Sequence, residues 1–182
     1  MTAYKLTSSR SDYMTPRELI DKILYEENAE KFDIDVCCSE ENIPAKRYYK
    51  AVVNIETGEV IEVLNDGLKL DWGKLNWCNP PYKVARNWVK KAIREAEKGN
   101  TTWMLIPFRP ETVWWDFVLN EVGTLKNRVF ENSKYKCIFL KKGLCFVDPI
   151  TKNGMQVYKN PLALVKFKGV SKSAYRNWKR VH

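Results

Sequence analysis

Leu75-Asn76-Trp77-Cys78-Asn79-Pro80-Pro81-Tyr82 is the stretch on which the fold turns. Leu75 to Cys78 has the make-up of a short buried strand, and it runs straight into two successive prolines. These fix the backbone and donate no hydrogen bond, and Pro81 also pushes Pro80 toward an extended conformation. From Val84, apolar residues recur at Trp88, Val89, Ala92, Ile93 and Ala96, and Gly99 is a natural stop, so a helix follows the turn. Thr102 to Ile106 reads as the next buried strand. Strand, stiff turn, helix and strand are the unit of a parallel sheet with helices on its faces.

Upstream, Phe32-Asp33-Ile34-Asp35-Val36-Cys37 alternates apolar and acidic residues, a strand that ends in the polar turn Ser39 to Asn42. Thr15-Pro16-Arg17-Glu18 reads as a helix start: threonine caps, proline takes the first helical position and Glu18 completes a capping box. Leu19, Ile20, Ile23 and Leu24 supply that helix's apolar face. Residues 51–63 look like a hairpin around Glu56-Thr57-Gly58-Glu59. Downstream, a helix is expected over 111–120 and strands over 135–140 and 161–167. The last third is thus richer in strand, as an antiparallel edge added to a parallel sheet would be. Residues 1–11 are polar and unpatterned, a flexible terminus. With no repeat, low-complexity tract or linker, residues 1–182 are expected to form a single domain.

Composition narrows the chemistry. Forty-five per cent apolar and 13% aromatic residues suit a packed core rather than disorder. A formal charge of +9 suits a polyanionic partner. The five cysteines show no CxxC spacing and the only histidine is His182, so neither a zinc site nor histidine-dependent catalysis is expected, and no metal is assigned. An odd number of thiols with no signal peptide points to reduced cysteines in a cytoplasm. No apolar run approaches the length of a membrane helix.

The turn itself implies a reaction. Asn79 and Pro80 bring side-chain and backbone oxygens, and Tyr82 adds a flat aromatic face. Adenine's exocyclic amine is a poor nucleophile because its lone pair is conjugated into the ring. If the Asn79 oxygen and the Pro80 carbonyl both accept its N–H protons, the nitrogen can become more tetrahedral and present its lone pair to a methyl sulfonium. Tyr82 would stack on the base, which must be flipped out or already unpaired. Cys78 precedes Asn79 rather than following a proline, so the Pro-Cys nucleophile of a cytosine-C5 methylase is lacking.

At these residues the chain resembles the small phage-type DNA N-6-adenine methyltransferases, a Dam-like family of phages and prophages. The resemblance spans roughly residues 12–168. Asp12-Tyr13-Met14-Thr15-Pro16 is similar to that family's opening motif, and Phe32 to Cys37 to its acidic first strand. Asp66-Gly67-Leu68 with Trp72 resembles the segment before the catalytic loop. Leu105-Ile106-Pro107 with Thr112 and Trp115, and later Asn160-Pro161-Leu162, are also similar. The resemblance implies a Rossmann-like, S-adenosylmethionine-dependent methyltransferase fold of α/β class, its sheet mostly parallel with an antiparallel edge.

It further implies Asn79, Pro80, Pro81 and Tyr82 as the catalytic loop, and Tyr13, Thr15, Pro16, Asp35, Ser39 and Asp66 as donor contacts. Residues from about 120 to 182 become the recognition region. Two departures stand out. The turn after the first strand, Cys38 to Asn42, has no glycine, and Gly143-Leu144-Cys145-Phe146 lacks an expected arginine.

Two basic groups are candidates for gripping phosphates. Lys83, Arg86, Lys90 and Arg94 share a helical face beside the loop, and Lys172, Arg176, Lys179 and Arg180 lie in an acid-free tail interleaved with Tyr175 and Trp178. The expected substrate is adenine in DNA. RNA adenine and a catalytically idle nucleic-acid-binding relative stay open, because the loop would serve both polymers and the glycine turn is missing. Cytosine-N4 loops more often begin with serine, and the positive charge disfavours a protein glutamine as substrate.

Overall fold

The computed structural model describes residues 14–38, 41–53, 60–116, 123–140, 144–147, 154 and 160–170, with the backbone alone at 51–53, 60 and 61. Two helices, α1 (Arg17–Glu26) and α2 (Ala85–Glu97), accompany nine strands among the described residues. These are β1 (Phe32–Cys38), β2 (Ala45–Val53), β3 (Val60–Val63), β4 (Leu75–Cys78), β5 (Thr101–Pro107), β6 (Thr124–Lys126), β7 (Val129–Glu131), β8 (Tyr135–Phe139) and β9 (Leu162–Phe167). They form one sheet in the order β3-β2-β1-β4-β5-β9-β8-β7-β6. Its centre, β2-β1-β4-β5, is parallel, and β9 opens an antiparallel edge. This is the mixed α/β architecture the sequence implies.

Each face of the sheet carries its own core, because side chains alternate across a strand. On one face Val36, Cys78, Met104, Ile106 and Val165 pack against Trp88, Val89 and Ala92 of α2. On the other, Trp77, Trp103, Leu105 and Leu164 meet Ile20, Ile23 and Leu24 of α1. Trp72 and Trp88 stack at 6.4 Å between ring centroids, binding the segment before β4 to the helix after it. Gly99, at φ +87°, ends α2 in the left-handed conformation that glycine adopts most readily.

Four points correct or extend the expectations from sequence. The capping box does not form: Pro16 stands at the N-cap position of α1 and no side chain caps the helix. Pro16 cannot donate, but its carbonyl accepts from the Leu19 N–H at 3.1 Å, so the first turn is closed by backbone. Thr15, one residue too early to cap, turns elsewhere. Second, β1 returns to its parallel neighbour β2 through residues 39–44 alone, too few for a helix. A glycine turn serves to open such a helix, so its absence has a structural reason. Third, the hairpin expected over 51–63 forms, with Ala51 to Val53 paired antiparallel to Val60 to Val63, but β2 begins earlier, at Ala45; the turn lies outside the described residues. Fourth, the helix expected over 111–120 opens as a 3-10 turn at Val113–Trp115 and passes into α-helix at Asp116, with 117–120 outside the described residues.

The two aspartates of β1 have different surroundings. Asp33 accepts from the backbone N–H groups of Lys74 and Leu75 at 2.9 and 3.0 Å and from Lys46 at 2.6 Å. Burial pulls its pKa upward, but the bonds from Lys46, Leu75 and Lys74 outweigh it and hold the carboxyl below its ordinary range. Asp33 therefore pins the start of β4 to β1. Asp33→Ala is expected to lower the unfolding free energy by about 2–3 kcal/mol, as loss of several charge-assisted bonds would. Asp33→Asn, which keeps an accepting oxygen, should cost less. Chemical denaturation of both variants measures the difference.

Candidate functional site

From β1 the chain continues to β2 on one side, while β4 lies on the other. In a sheet of this kind the crevice at the carboxyl ends of such strands is where ligands bind. Ile34 pairs with Asn76 and Asp35 with Trp77, so the end of β1 lies beside the start of Asn79-Pro80-Pro81-Tyr82. Two chemically distinct groups meet there.

The first is Asp35, only 2% exposed. Its carboxyl accepts from the Cys37 N–H at 3.3 Å. Burial raises its pKa to about 7, with that one backbone bond pulling the other way. No lysine or arginine among the described residues is close enough to offset the burial. Cys37, Cys38 and Cys78 surround it, and burial together with the Asp35 charge pushes all three thiols well up. They are packing groups rather than thiolate nucleophiles.

Asp66 approaches the same strand end. Gly67 permits this: a Cβ there would sit 2.1 Å from the Val36 carbonyl oxygen and 3.1 Å from the Trp88 ring. The Gly67 carbonyl accepts from the Trp72 indole at 2.7 Å. Asp66 closes its own turn by accepting from Leu68 N–H at 3.0 Å, and its second oxygen is 3.2 Å from Lys69. At 31% exposure the side chain still faces outward in part.

The second group is the catalytic-loop candidate. Asn79 is partly buried, and its amide nitrogen points to the Thr15 hydroxyl at 3.5 Å. Thr15, 6% exposed, is held there by the antiparallel bridge between Met14 and Val147. This pairing turns the Asn79 side-chain oxygen to the opposite side of the amide, as an acceptor role requires. Pro81's carbonyl accepts from Val84 N–H at 3.0 Å, closing the 3-10 turn Tyr82–Val84, and Pro80 is buried. Pro81's carbonyl is thus engaged in the turn, and the acceptors expected of the loop are the Asn79 oxygen and the Pro80 carbonyl. Tyr82 is partly buried and packs against the α1-side core.

Thus the fold brings together Thr15, Pro16, Asp35, Asp66 and Asn79 to Tyr82. Lys83, Arg86, Lys90 and Arg94 are exposed from the 3-10 turn and α2. Tyr13, Ser39, Lys172, Arg176, Lys179 and Arg180 lie outside the described residues. Two contributors had no sequence signal of their own. The tie from Thr15 to Asn79 joins residues distant along the chain, and the need for Gly67 arises from its neighbour across the sheet.

A family model for DNA N-6-adenine-methyltransferase (Dam) matches residues 3–139. The chain belongs to that family. The chain is 35% identical to the DNA N-6-adenine-methyltransferase of Escherichia phage T1 over 108 residues, 58% of this chain and 40% of that protein. It is 32% identical to the enzyme of the same name from Haemophilus phage HP1 over 88 residues, 47% of this chain and 44% of that protein. The chain thus spans less than half the length of these curated relatives. Among solved structures, a proposed RNA methyltransferase from Pyrococcus horikoshii superposes with a TM-score of 0.51 at 12% identity, covering 94% of this chain and 93% of that one, which establishes the shared fold. Family and fold together imply a methyl donor.

Asp35 makes the apo protein's stability pH-dependent in a definite sense. An unfolded aspartate ionises near 3.8, whereas the folded one holds its proton to about 7. Between those values the folded state binds a proton that the unfolded chain has lost. The associated stability is complete below about 3.8 and is lost as pH rises toward and past 7. Asp35→Asn should therefore match the wild type near pH 4 and melt several degrees higher at pH 8.5. Thermal unfolding across pH tests this; a variant that melts lower at pH 8.5 contradicts it.

Proposed function

We propose that this chain methylates the exocyclic N6 amine of adenine in DNA, with S-adenosylmethionine as donor. The observation that carries the reading is Asn79, its amide nitrogen turned to Thr15 at the end of β4, beside the buried Asp35 at the end of β1. Family membership and the burial that keeps the Cys37 and Cys78 thiols protonated favour direct transfer without a covalent enzyme intermediate.

The donor fits the residues present. A buried carboxyl whose burial no described cation offsets is a receptor for an ammonium group, and a donor's amino-acid end supplies one. Asp35 would hold that end and Asp66 the adenine or ribose end, with Thr15, Pro16, Tyr13 and Ser39 completing the donor side. Bound S-adenosylmethionine would supply an electrophilic methyl group on sulfonium. The Asn79 oxygen and the Pro80 carbonyl would accept the two N–H protons of the target amine. Positive charge growing on that nitrogen would then face fixed dipoles in a water-poor setting, where they act most strongly. Tyr82, anchored by its packing on the α1 side, would stack on a flipped or unpaired base. Lys83, Arg86, Lys90 and Arg94 would meet phosphates beside the loop, and Lys172, Arg176, Lys179 and Arg180 would join from the carboxyl-terminal stretch. One domain would thus carry donor, base and backbone sites.

Asn79→Ala is expected to lower methyl incorporation into DNA by roughly a thousandfold, as removal of a preorganised polar group does. Calorimetry should find its affinity for S-adenosylmethionine little changed. Tyr82→Ala should lose about ten- to a hundredfold through stacking. Wild-type turnover in the Asn79 variant would make the loop structural. Matched RNA as competitor substrate distinguishes the polymers, and transfer to RNA in preference to DNA would overturn the choice made here.

Donor affinity should also depend on pH. If only ionised Asp35 accepts the ammonium group, affinity falls up to about tenfold per unit as pH drops below 7. Calorimetry between pH 5.5 and 8.5 measures that slope, and Asp35→Asn should flatten it.

A further inference from the structure

The hairpin formed by β6 and β7 has no pattern of its own in the sequence, and it lies in the stretch from about 120 to 182 that the resemblance assigns to recognition without naming a contact. Lys126 pairs with Val129, leaving Asn127 and Arg128 as a two-residue turn. Both have positive φ, 49° and 67°. Such turns favour asparagine followed by glycine, because the second position suits a residue without a Cβ. Arginine there costs on the order of 1 kcal/mol of backbone strain. Folding would be served better by glycine, so the arginine side chain at this tip calls for another explanation.

The sheet's topology says where the tip lies. From β5 to β6 every pairing is antiparallel: β5 with β9, β9 with β8, β8 with β7, and β7 with β6. Four reversals leave β6 running in the direction of β5, and hence of β4. Its carboxyl end, which is the hairpin tip, therefore emerges at the same edge of the sheet as Asn79. The Phe139 N–H donates to the Arg128 carbonyl at 2.9 Å, tying the turn to the end of β8. Lys126, Asn127 and Arg128 are all exposed there. Neither basic side chain has a carboxylate partner among the described residues. Arg109, exposed just past β5, stands on that edge between the tip and the catalytic loop; Glu111 and Asp116 are the acids on its segment.

We propose that the Lys126-Asn127-Arg128 tip is a second contact for duplex DNA, gripping backbone phosphates to one side of the adenine addressed by Asn79. Four strand spacings separate β4 from β7, about 19 Å. At about 3.4 Å per base pair this is five to six base pairs along the duplex. A guanidinium and an ammonium projecting from a rigid turn suit two phosphate contacts at that distance. The proposal rests on DNA being the substrate, and its test separates the two.

Arg128→Gly combined with Lys126→Gln removes both charges while placing glycine where the backbone favours it. The variant should melt at or above the wild-type temperature; a fall of several degrees would assign Arg128 to the fold and overturn the proposal. Fluorescence anisotropy with two duplexes then reads binding. One duplex carries ten base pairs on each side of a central adenine, and the other is cut to three. The wild type should bind the long duplex about tenfold or more tightly than the short one, whereas the variant should bind both like the wild type on the short one. Its salt dependence should fall by about two in slope, near 0.9 for each phosphate contact.

A variant that keeps wild-type affinity, or loses it equally on both duplexes, removes the hairpin from the DNA contact. If such a variant still methylates, the hairpin idea fails alone. If the wild type shows the flank dependence but transfers no methyl group, the hairpin stands and the proposed activity falls. Absence of duplex binding by the wild type overturns both.

Discussion

The parallel pairing of β1 with β4 is the constraint on which the candidate site depends. Ile34 opposite Asn76 and Asp35 opposite Trp77 set one register, and that register puts a buried carboxyl beside an asparagine amide. A slip of one residue would turn Trp77 from the α1-side core toward the α2-side core and reverse every other side chain of the strand with it. The hydrophobic cost of such a slip is what holds the polar groups in place. Asp33 adds a hinge pin at the opposite end of the strands, accepting from two successive N–H groups at the start of β4.

Asp33 and Asp35, two residues apart, illustrate how environment assigns roles. Asp33 is bonded by a lysine and two backbone groups, so its charge is satisfied and it serves the fold. Asp35 has greater burial and one backbone donor, so ionising it in the apo protein is unfavourable. That unfavourable state is what a cationic ligand could relieve. The same logic distinguishes the two prolines of the loop. Pro81's carbonyl closes a 3-10 turn, whereas Pro80 sits buried at the strand's end.

The segment preceding α1 contributes by a route the local pattern conceals. Thr-Pro ahead of an amphipathic helix invites a capping reading, yet Pro16 occupies the capping position and leaves the Thr15 hydroxyl to face Asn79. Gly67 acts in a similar way. Its missing side chain lets the backbone before β4 lie on the Val36 carbonyl, and Trp72 stacked on Trp88 keeps it there. The Asp66-Gly67 segment and the helix that follows the loop are thereby coupled through one aromatic pair.

Much was legible in the residues alone. The strands Phe32–Cys38, Leu75–Cys78, Thr101–Pro107, Tyr135–Phe139 and Leu162–Phe167, both helices and the stiff Asn79-Pro80-Pro81-Tyr82 turn follow from apolar periodicity and from proline's geometry, which act over a few neighbouring positions. Other features depended on tertiary structure. The helix-free return from β1 to β2, the polar hairpin at Thr124–Glu131, the tie of Thr15 to Asn79 and the raised pKa of Asp35 are set by which distant segments come together. Burial and strand partnership are properties of the packed chain, and a residue's own identity does not contain them. So the sequence by itself determined most of the elements and the residue types of the loop, while packing decided what those residues face.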